Sequence, residues 1–360
     1  MIVRSPTLAA ISLEPTGGGV AGVARLLWDV FERQWGADAR LLTLIESGRT
    51  HPSFAEKTRY ALRLARAQAM QSTDSILFSH LGLAKPLQGM PRTWHRPYGV
   101  FVHGVEAWNA LPGEQLELLA RAEFRIANSA YTARRVMDAH PEVGPVVPCP
   151  LALPPERVRT EIAQSGSSLP PLGEHAVLVV GRMLGSERYK GHDELIDAWP
   201  RVLADVPDAQ LVLVGLGDDR ERLRDKAARG PARHAILFTG FVPRPLLEQL
   251  YERAACLALP SRGEGFGLVY LEAMAHRRAC IGSIHDAARD VIVDGQTGRL
   301  VDQDDLDSLA GAVVGLLKNP DEQRRMGEEG YRRLQEHFSF DSFMTRFNAL
   351  MSSPREALAS

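Results

Sequence analysis

The chain has 360 residues, 45% of them hydrophobic and 24% charged, with a formal net charge of -2 at pH 7. That length exceeds one ordinary hydrophobic core and implies two domains, while the near-neutral balance removes the electrostatic basis for nucleic-acid binding. Cys149, Cys256 and Cys280 are odd in number and far apart with no C-x-x-C spacing, which argues against a disulfide frame or zinc site and for a reducing compartment. No apolar run reaches the ~18–20 residues of a membrane span. The mildly apolar N-terminal patch is broken by Pro6 and Pro15, so no signal peptide is expected and the expected location is the cytoplasm.

Short apolar runs alternate with longer amphipathic segments along the whole chain, the pattern of parallel α/β sheets. In the first half, strands are expected at 7–13, 40–45, 75–80, 98–103, 124–128 and 145–148, and helices at 19–34, 54–70, 113–120 and 130–139. Residues 149–175 are rich in Pro, Ser and Gly and read as a linker. A second alternation follows, with strands at 176–181, 210–215, 235–239, 256–259, 278–282 and 299–301. Helices are expected near 191–204, 218–228, 245–253 and from about Phe266 onward. Residues 305–351 are expected to be helical, with breaks near Asn319-Pro320 and Ser339. Two α/β halves make a cleft between domains the expected ligand site.

Four stretches carry chemistry. The first, GGGVAGVARLL (17–27), follows a strand and opens a helix, so its backbone N–H groups can approach an anion; a plain flexible loop explains it equally well. It is not G-x-G-x-x-G, and no acid follows the next strand to hold a ribose, which argues against a dinucleotide site. In the second, VVGRMLGSERYKGHDELIDAW (179–199), Arg182 directly follows a strand and Lys190 precedes a helix. Two cations there suit a pyrophosphate, although solvated loop charges are the commoner fate of such residues. The third, VGLGDDRERL (214–223), places Gly215 and Gly217 in a turn that would admit a base or phosphate, with Asp218 or Asp219 as an N-cap. The fourth, PSRGEGFGLVYLEAMA (260–275), puts Glu264 in a glycine-rich turn and Glu272 inside an apolar helix. The N–H groups of Gly265, Phe266, Gly267 and Leu268 form an expected phosphate seat, with Glu264 on sugar hydroxyls and Glu272 on a ribose diol. Otherwise Glu272 would form an internal ion pair, for example with Arg182.

The E-x7-E pair Glu264/Glu272, the Arg182…Lys190-Gly191 cluster and the turn at 215–217, with VDGQTGRLV (293–301), FVHG (101–104) and NSAYTARRV (128–136), resemble the retaining GT-B glycosyltransferases of family GT4. The resemblance implies two Rossmann-like, doubly wound α/β domains facing an inter-domain cleft: an acceptor domain at 1–165, a nucleotide-sugar donor domain at 166–337, and a final helix within 338–360 crossing back. It implies Arg182 and Lys190 on the donor diphosphate, Gly18 and Gly19 near the phosphates, Glu272 on the ribose, Glu264 on the transferred sugar and His103 beside that sugar. It further implies no metal and no cofactor beyond the nucleotide-sugar co-substrate. The chain departs from the family in two places. Seven residues separate Arg182 from Lys190, so Arg188 competes with Lys190 for the phosphate role. SIHDAARDV (283–291) replaces G-G-x-P-E, which makes Asp286 a candidate for sugar specificity.

The expected reaction is transfer of a hexose-type sugar to a hydroxyl of a sugar or lipid-linked acceptor, with retention by front-face attack. A non-catalytic nucleotide-sugar-binding scaffold is the alternative, and a nicotinamide oxidoreductase on a doubly wound fold is a more distant one. Lys57, Arg59, Arg63 and Arg66 on the helix at 54–70 suggest a peripheral contact with an anionic membrane, against the plainer explanation of a solvated helix face.

Overall fold

The computed structural model describes residues 5–14, 18–46, 51–70, 72–153 and 172–352. The chain separates into two compact units, Met1–Pro155 with Ser339–Ser360, and Glu156–Phe338. The expected boundary at 165/166 and residues 154–171 of the expected linker lie outside the described residues.

In the first unit the strands are β1 (Pro6–Ala10), β2 (Arg40–Thr43), β3 (Ser75–Phe78), β4 (Tyr98–Val102), β5 (Phe124–Ala127) and β6 (Val147–Pro148). They form one parallel sheet in the order β2-β1-β3-β4-β5-β6. β3 and β4 are buried at every residue, as strands covered by helices on both faces must be, which explains their unbroken apolar sequences. β1 stops at Ala10, three residues short of the expected end. The helix Phe54–Ala69 starts where Ser53 and Glu56 form a reciprocal capping box, and it buries the i,i+4 stripe Glu56, Tyr60, Leu64 and Gln68. Residues Leu81–Gly89 form tight 3-10 turns that the alternation of strands and helices had not marked.

The last helix, Phe340–Ser352, belongs to this unit. It buries Phe343 and Phe347 completely, with the Phe347 ring 6.2 Å from Phe31. Arg33 lies over the Phe340 ring and Arg346 Nη2 donates to the Pro150 carbonyl at 3.0 Å.

The second unit contains β7 (Ala176–Val180), β8 (Gln210–Val214), β9 (Ile236–Gly240), β10 (Cys256–Ala258), β11 (Ala279–Ser283) and β12 (Gly298–Val301). Its parallel sheet runs β12-β11-β10-β7-β8-β9. Read from β9, this is the order 3-2-1-4-5-6 of a doubly wound nucleotide-binding sheet, and the chain changes direction between β7 and β10. Ligands of such sheets bind beyond the carboxyl ends of the strands at that switch point. The helix of the E-x7-E segment spans Leu268–Ala275, beginning two residues later than expected. The reason is Gly267, whose φ of 86° lies in the left-handed region and stops the helix from extending backward.

Replacing the fully buried Phe347 with alanine leaves a cavity beside Phe31, so Phe347→Ala should lose about 3–5 kcal/mol of unfolding free energy. Urea denaturation followed by tryptophan fluorescence measures this, and a change below about 1 kcal/mol would place the helix off the core.

Candidate functional site

At the switch point of the second sheet, the loop after β7 meets the loop after β10. Lys190 Nζ lies 3.2 Å from Glu264 Oε2, and the two side chains are only 13% and 21% exposed. Burial by itself would lower the lysine, but the carboxylates of Glu264 and Glu187 outweigh it and hold the ammonium above its ordinary range. Glu187 also accepts from Arg182 Nη2 and stands 3.9 Å from Lys190 Nζ, so it bridges the two expected phosphate cations. Sequence reasoning had missed Glu187, which lies inside the segment that sets Arg182 and Lys190 apart. The Arg182 side chain is 58% exposed and open to an anion. Arg188, the expected competitor of Lys190, donates from both Nε and Nη2 to Asp219, at 3.1 and 2.8 Å.

The two loops hold each other. Arg262 N donates to the Tyr189 carbonyl at 2.8 Å, and a Cβ on Gly263 would stand 2.5 Å from the Tyr189 ring. Glu264 N donates to Asp286 Oδ2 at 3.1 Å, Ala287 N donates to the Glu264 carbonyl at 3.1 Å, and Ala288 N donates to Asp286 Oδ1 at 2.9 Å. Asp286 is therefore fully buried with both oxygens on backbone N–H groups. Asp286, the candidate for sugar specificity, thus holds the Glu264 backbone through its side chain. Burial pushes its carboxyl well above the usual range, and the charge of Glu264 adds to the effect. The Phe266 ring is buried in an edge contact with Phe338, 5.8 Å between centroids, so only its backbone can serve a ligand.

Gly215 and Gly217 have a structural reason of their own. A Cβ on Gly215 would stand 1.9 Å from the Gly181 carbonyl oxygen, and one on Gly217 would stand 1.9 Å from that of Met183. The close partner is the chain's own Arg182 loop, tied by Met183 N to Leu216 O at 2.9 Å and Asp219 N to Met183 O at 2.9 Å. These glycines bring the cation loop to its place and need no ligand to explain them. Asp219 stands at the N-cap of helix Arg220–Arg229 without a side-chain cap bond, because its carboxylate holds Arg188 and Arg222 instead. Asp218 Oδ1 accepts from Gly185 N at 2.8 Å.

Glu272, on the helix Leu268–Ala275, is 16% exposed, and both of its oxygens are engaged. Oε1 accepts from Arg244 Nη1 and Oε2 from the Tyr251 hydroxyl, each at 2.8 Å. An ion pair was one of the two readings of this residue, but its partner is Arg244 and not Arg182. Arg244 and Tyr251 come from one helix, Arg244–Arg253, seven residues and hence about two turns apart on the same face.

In the first unit His103 follows β4. Its Nε2 donates to the Ser79 carbonyl, which can only accept, so in the neutral imidazole Nδ1 is the acceptor nitrogen. Asn128 Nδ2 supports the loop by donating to the His103 carbonyl at 2.7 Å. His80 lies beside it, with ring centroids 6.0 Å apart; burial and the neighbouring His103 lower the pKa of His80. Gly18 and Gly19 form the first turn of helix Gly18–Trp35, where backbone N–H groups have no intrahelical acceptors.

Both parallel sheets, with helices on their faces, define the GT-B architecture. Over 98% of this chain the fold matches a sucrose-phosphate synthase from Thermosynechococcus elongatus, with a TM-score of 0.77, 20% identity and all of that chain covered. It also matches Anabaena HepE in complex with UDP and glucose, with a TM-score of 0.72, 17% identity, 97% of this chain and 100% of that one. Residues 161–333 match the family described as glycosyl transferases group 1, so Arg182, Lys190, Glu264 and Glu272 all lie in the matched segment. Within sequence relatives, a phosphatidyl-myo-inositol mannosyltransferase from Mycolicibacterium smegmatis is 38% identical over 158 residues, 44% of this chain and 39% of that protein. A GDP-mannose-dependent alpha-(1-6)-phosphatidylinositol monomannoside mannosyltransferase from the same organism is 34% identical over 176 residues, 47% of this chain and 46% of that protein. The similarity thus spans less than half the length of these relatives.

Removing the Asp286 carboxylate orphans two backbone N–H groups, each worth about 1–3 kcal/mol. Asp286→Ala should lower the urea midpoint clearly more than Asp286→Asn, which keeps one acceptor oxygen. Equal midpoints for both variants and the parent would remove its positioning role.

Proposed function

We propose that this chain is a retaining glycosyltransferase that moves a hexose-type sugar from a nucleotide-diphosphate sugar to a hydroxyl of a sugar or lipid-linked acceptor, in polysaccharide, glycolipid or glycoconjugate biosynthesis. The observation that carries the proposal is the half-closed Lys190–Glu264 pair at the sheet's switch point, one cation and one acid each with a different end of a sugar diphosphate to serve. As the anomeric C–O bond breaks, charge grows on the leaving diphosphate. Lys190, Arg182 and the N-terminus of the helix Leu268–Ala275 stabilise it, the work a metal ion does elsewhere, so the reaction is read as metal-independent. Glu264 accepts hydrogen bonds from the sugar, and Glu272 accepts them from the ribose. Relatives named for GDP-mannose and a neighbour solved with UDP support a nucleoside-diphosphate donor and leave its base open.

The retaining step follows from the family resemblance: the acceptor hydroxyl attacks from the face the diphosphate leaves, and a phosphate oxygen takes its proton. Lys190→Ala should reduce turnover of the nucleotide sugar about 10²–10³-fold, the loss typical of one preorganised charge on a leaving group. Donor hydrolysis by the purified protein, monitored as released nucleoside diphosphate, measures it. Wild-type turnover in Lys190→Ala would sink the phosphate assignment, and no release by the parent with any donor of a UDP-, GDP- and ADP-sugar panel would favour the scaffold reading.

A membrane-facing role for the first unit gains one observation of its own. On the helix Phe54–Ala69 and its cap, Phe54, Leu62 and Met70 are 86%, 66% and 63% exposed beside Arg59, Arg63 and Arg66. Exposed apolar side chains flanked by arginines suit an anionic lipid surface, although Glu46 takes part of the charge of Arg59 and Arg63. No helix of the described residues is long and apolar enough to cross a membrane. Leu62→Asp should lose co-sedimentation with phosphatidylglycerol vesicles at low salt; a parent that stays in the supernatant would end this reading.

A further inference from the structure

Arg244, the ion-pair partner of Glu272, has no part in the proposed reaction, yet its side chain is 58% exposed beside a carboxylate that is 16% exposed. Its Nη1 donates to Glu272 Oε1 at 2.8 Å, and its Nε donates to Glu248 Oε1 at 3.0 Å on the same helix. From the buried side the Tyr251 hydroxyl, itself fully enclosed and stacked on His276 at 5.5 Å, donates to Oε2 at 2.8 Å. Glu272 is thus gripped on one lone pair of each oxygen, by two donors on one face of one helix.

A carboxylate offers two acceptor sites per oxygen. With one site on each oxygen taken, one site on each remains, which is the pattern two adjacent hydroxyls require. Without Arg244 the acid would sit in an apolar helix with Tyr251 as its one donor among the described residues, and its released oxygen would be free to rotate away. Glu272 has apolar neighbours in sequence on both sides, Leu271 and Ala273, both fully buried, so nothing on its own helix replaces that grip.

We propose that Arg244 is the positioning residue for recognition of the donor's ribose diol: it orients the Glu272 carboxylate and supplies the counter-charge that keeps its free lone pairs available to the 2′- and 3′-hydroxyls. The inference rests on the reading of Glu272 as the ribose acceptor. Arg244 does not touch the sugar in this account, and Tyr251 supplies the second fixed point.

The test measures diol discrimination, which a merely structural role would leave alone. Affinities of the full chain are determined by calorimetry for UDP, GDP and ADP, and the tightest is then compared with its 2′,3′-dideoxy analogue and with inorganic pyrophosphate. In the parent the ribonucleotide should bind at least about tenfold more tightly than the dideoxy form, the scale of one or two hydrogen bonds to a charged group. Arg244→Ala should erase most of that ratio while leaving dideoxy and pyrophosphate affinity unchanged, and Arg244→Lys should restore part of it. Arg244→Ala that weakens ribo and dideoxy forms equally, or neither, overturns the proposal. Glu272→Gln separates the two levels. If Glu272→Gln keeps the full ratio, the ribose reading itself fails. If Glu272→Gln loses the ratio and Arg244→Ala keeps it, only the role of Arg244 fails.

Discussion

The second unit is organised around an ion pair that the protein keeps mostly away from water. Lys190 and Glu264 are held 3.2 Å apart by loops from two neighbouring strands, β7 and β10. Burying such charges costs several kcal/mol unless each finds a partner, and the surrounding structure meets that demand. Glu187 adds a second negative charge near the lysine, Arg182 balances Glu187, and Asp286 fixes the backbone of Glu264. The pair is satisfied without ligand, and in the proposed function a diphosphate would compete for the lysine and hydroxyls of a sugar for the acid. A site built this way carries its counter-charges before the substrate arrives, which limits reorganisation during reaction.

Much of this site was legible in the sequence because parallel sheets write themselves as short apolar runs, and their ligand residues fall at fixed places just after them. Arg182 after β7, the glycine turn after β8 and Glu264 after β10 are recognisable on that ground alone. The resemblance carried by the E-x7-E segment then supplied roles that spacing does not contain. What stayed hidden were partners distant in sequence. Asp286 lies 22 residues from the N–H it accepts and Arg244 lies 28 residues from Glu272, so no local pattern pairs them. The arginine and tyrosine spaced by two helical turns, Arg244 and Tyr251, were a usable signal, but only for a reader who already knew which acid they faced.

Two sequence features changed meaning in three dimensions. Gly215 and Gly217, read as a turn that admits a ligand, also leave the room that the Arg182 loop requires. Asp219 resembled a helix cap and is a receiver for Arg188 and Arg222. Both cases show one physical rule. A turn residue beyond a strand can serve the neighbouring loop, because adjacent parallel strands end side by side. Lys190 and Glu264, by contrast, are partners of each other, while Glu272 is held by Arg244 and Tyr251.

The central claim is that Lys190 and Glu264 divide a sugar diphosphate between them, and Glu264→Gln tests it most directly. Calorimetry would compare binding of a nucleoside diphosphate and of the matching nucleotide sugar to the parent and to this variant. Releasing the lysine while weakening the sugar's acceptor should leave the diphosphate bound at least as tightly, with the nucleotide sugar about tenfold weaker, as expected for loss of a hydrogen bond to a charged group. Equal affinities for both ligands in both proteins, or an equal loss for both in the variant, would contradict the account.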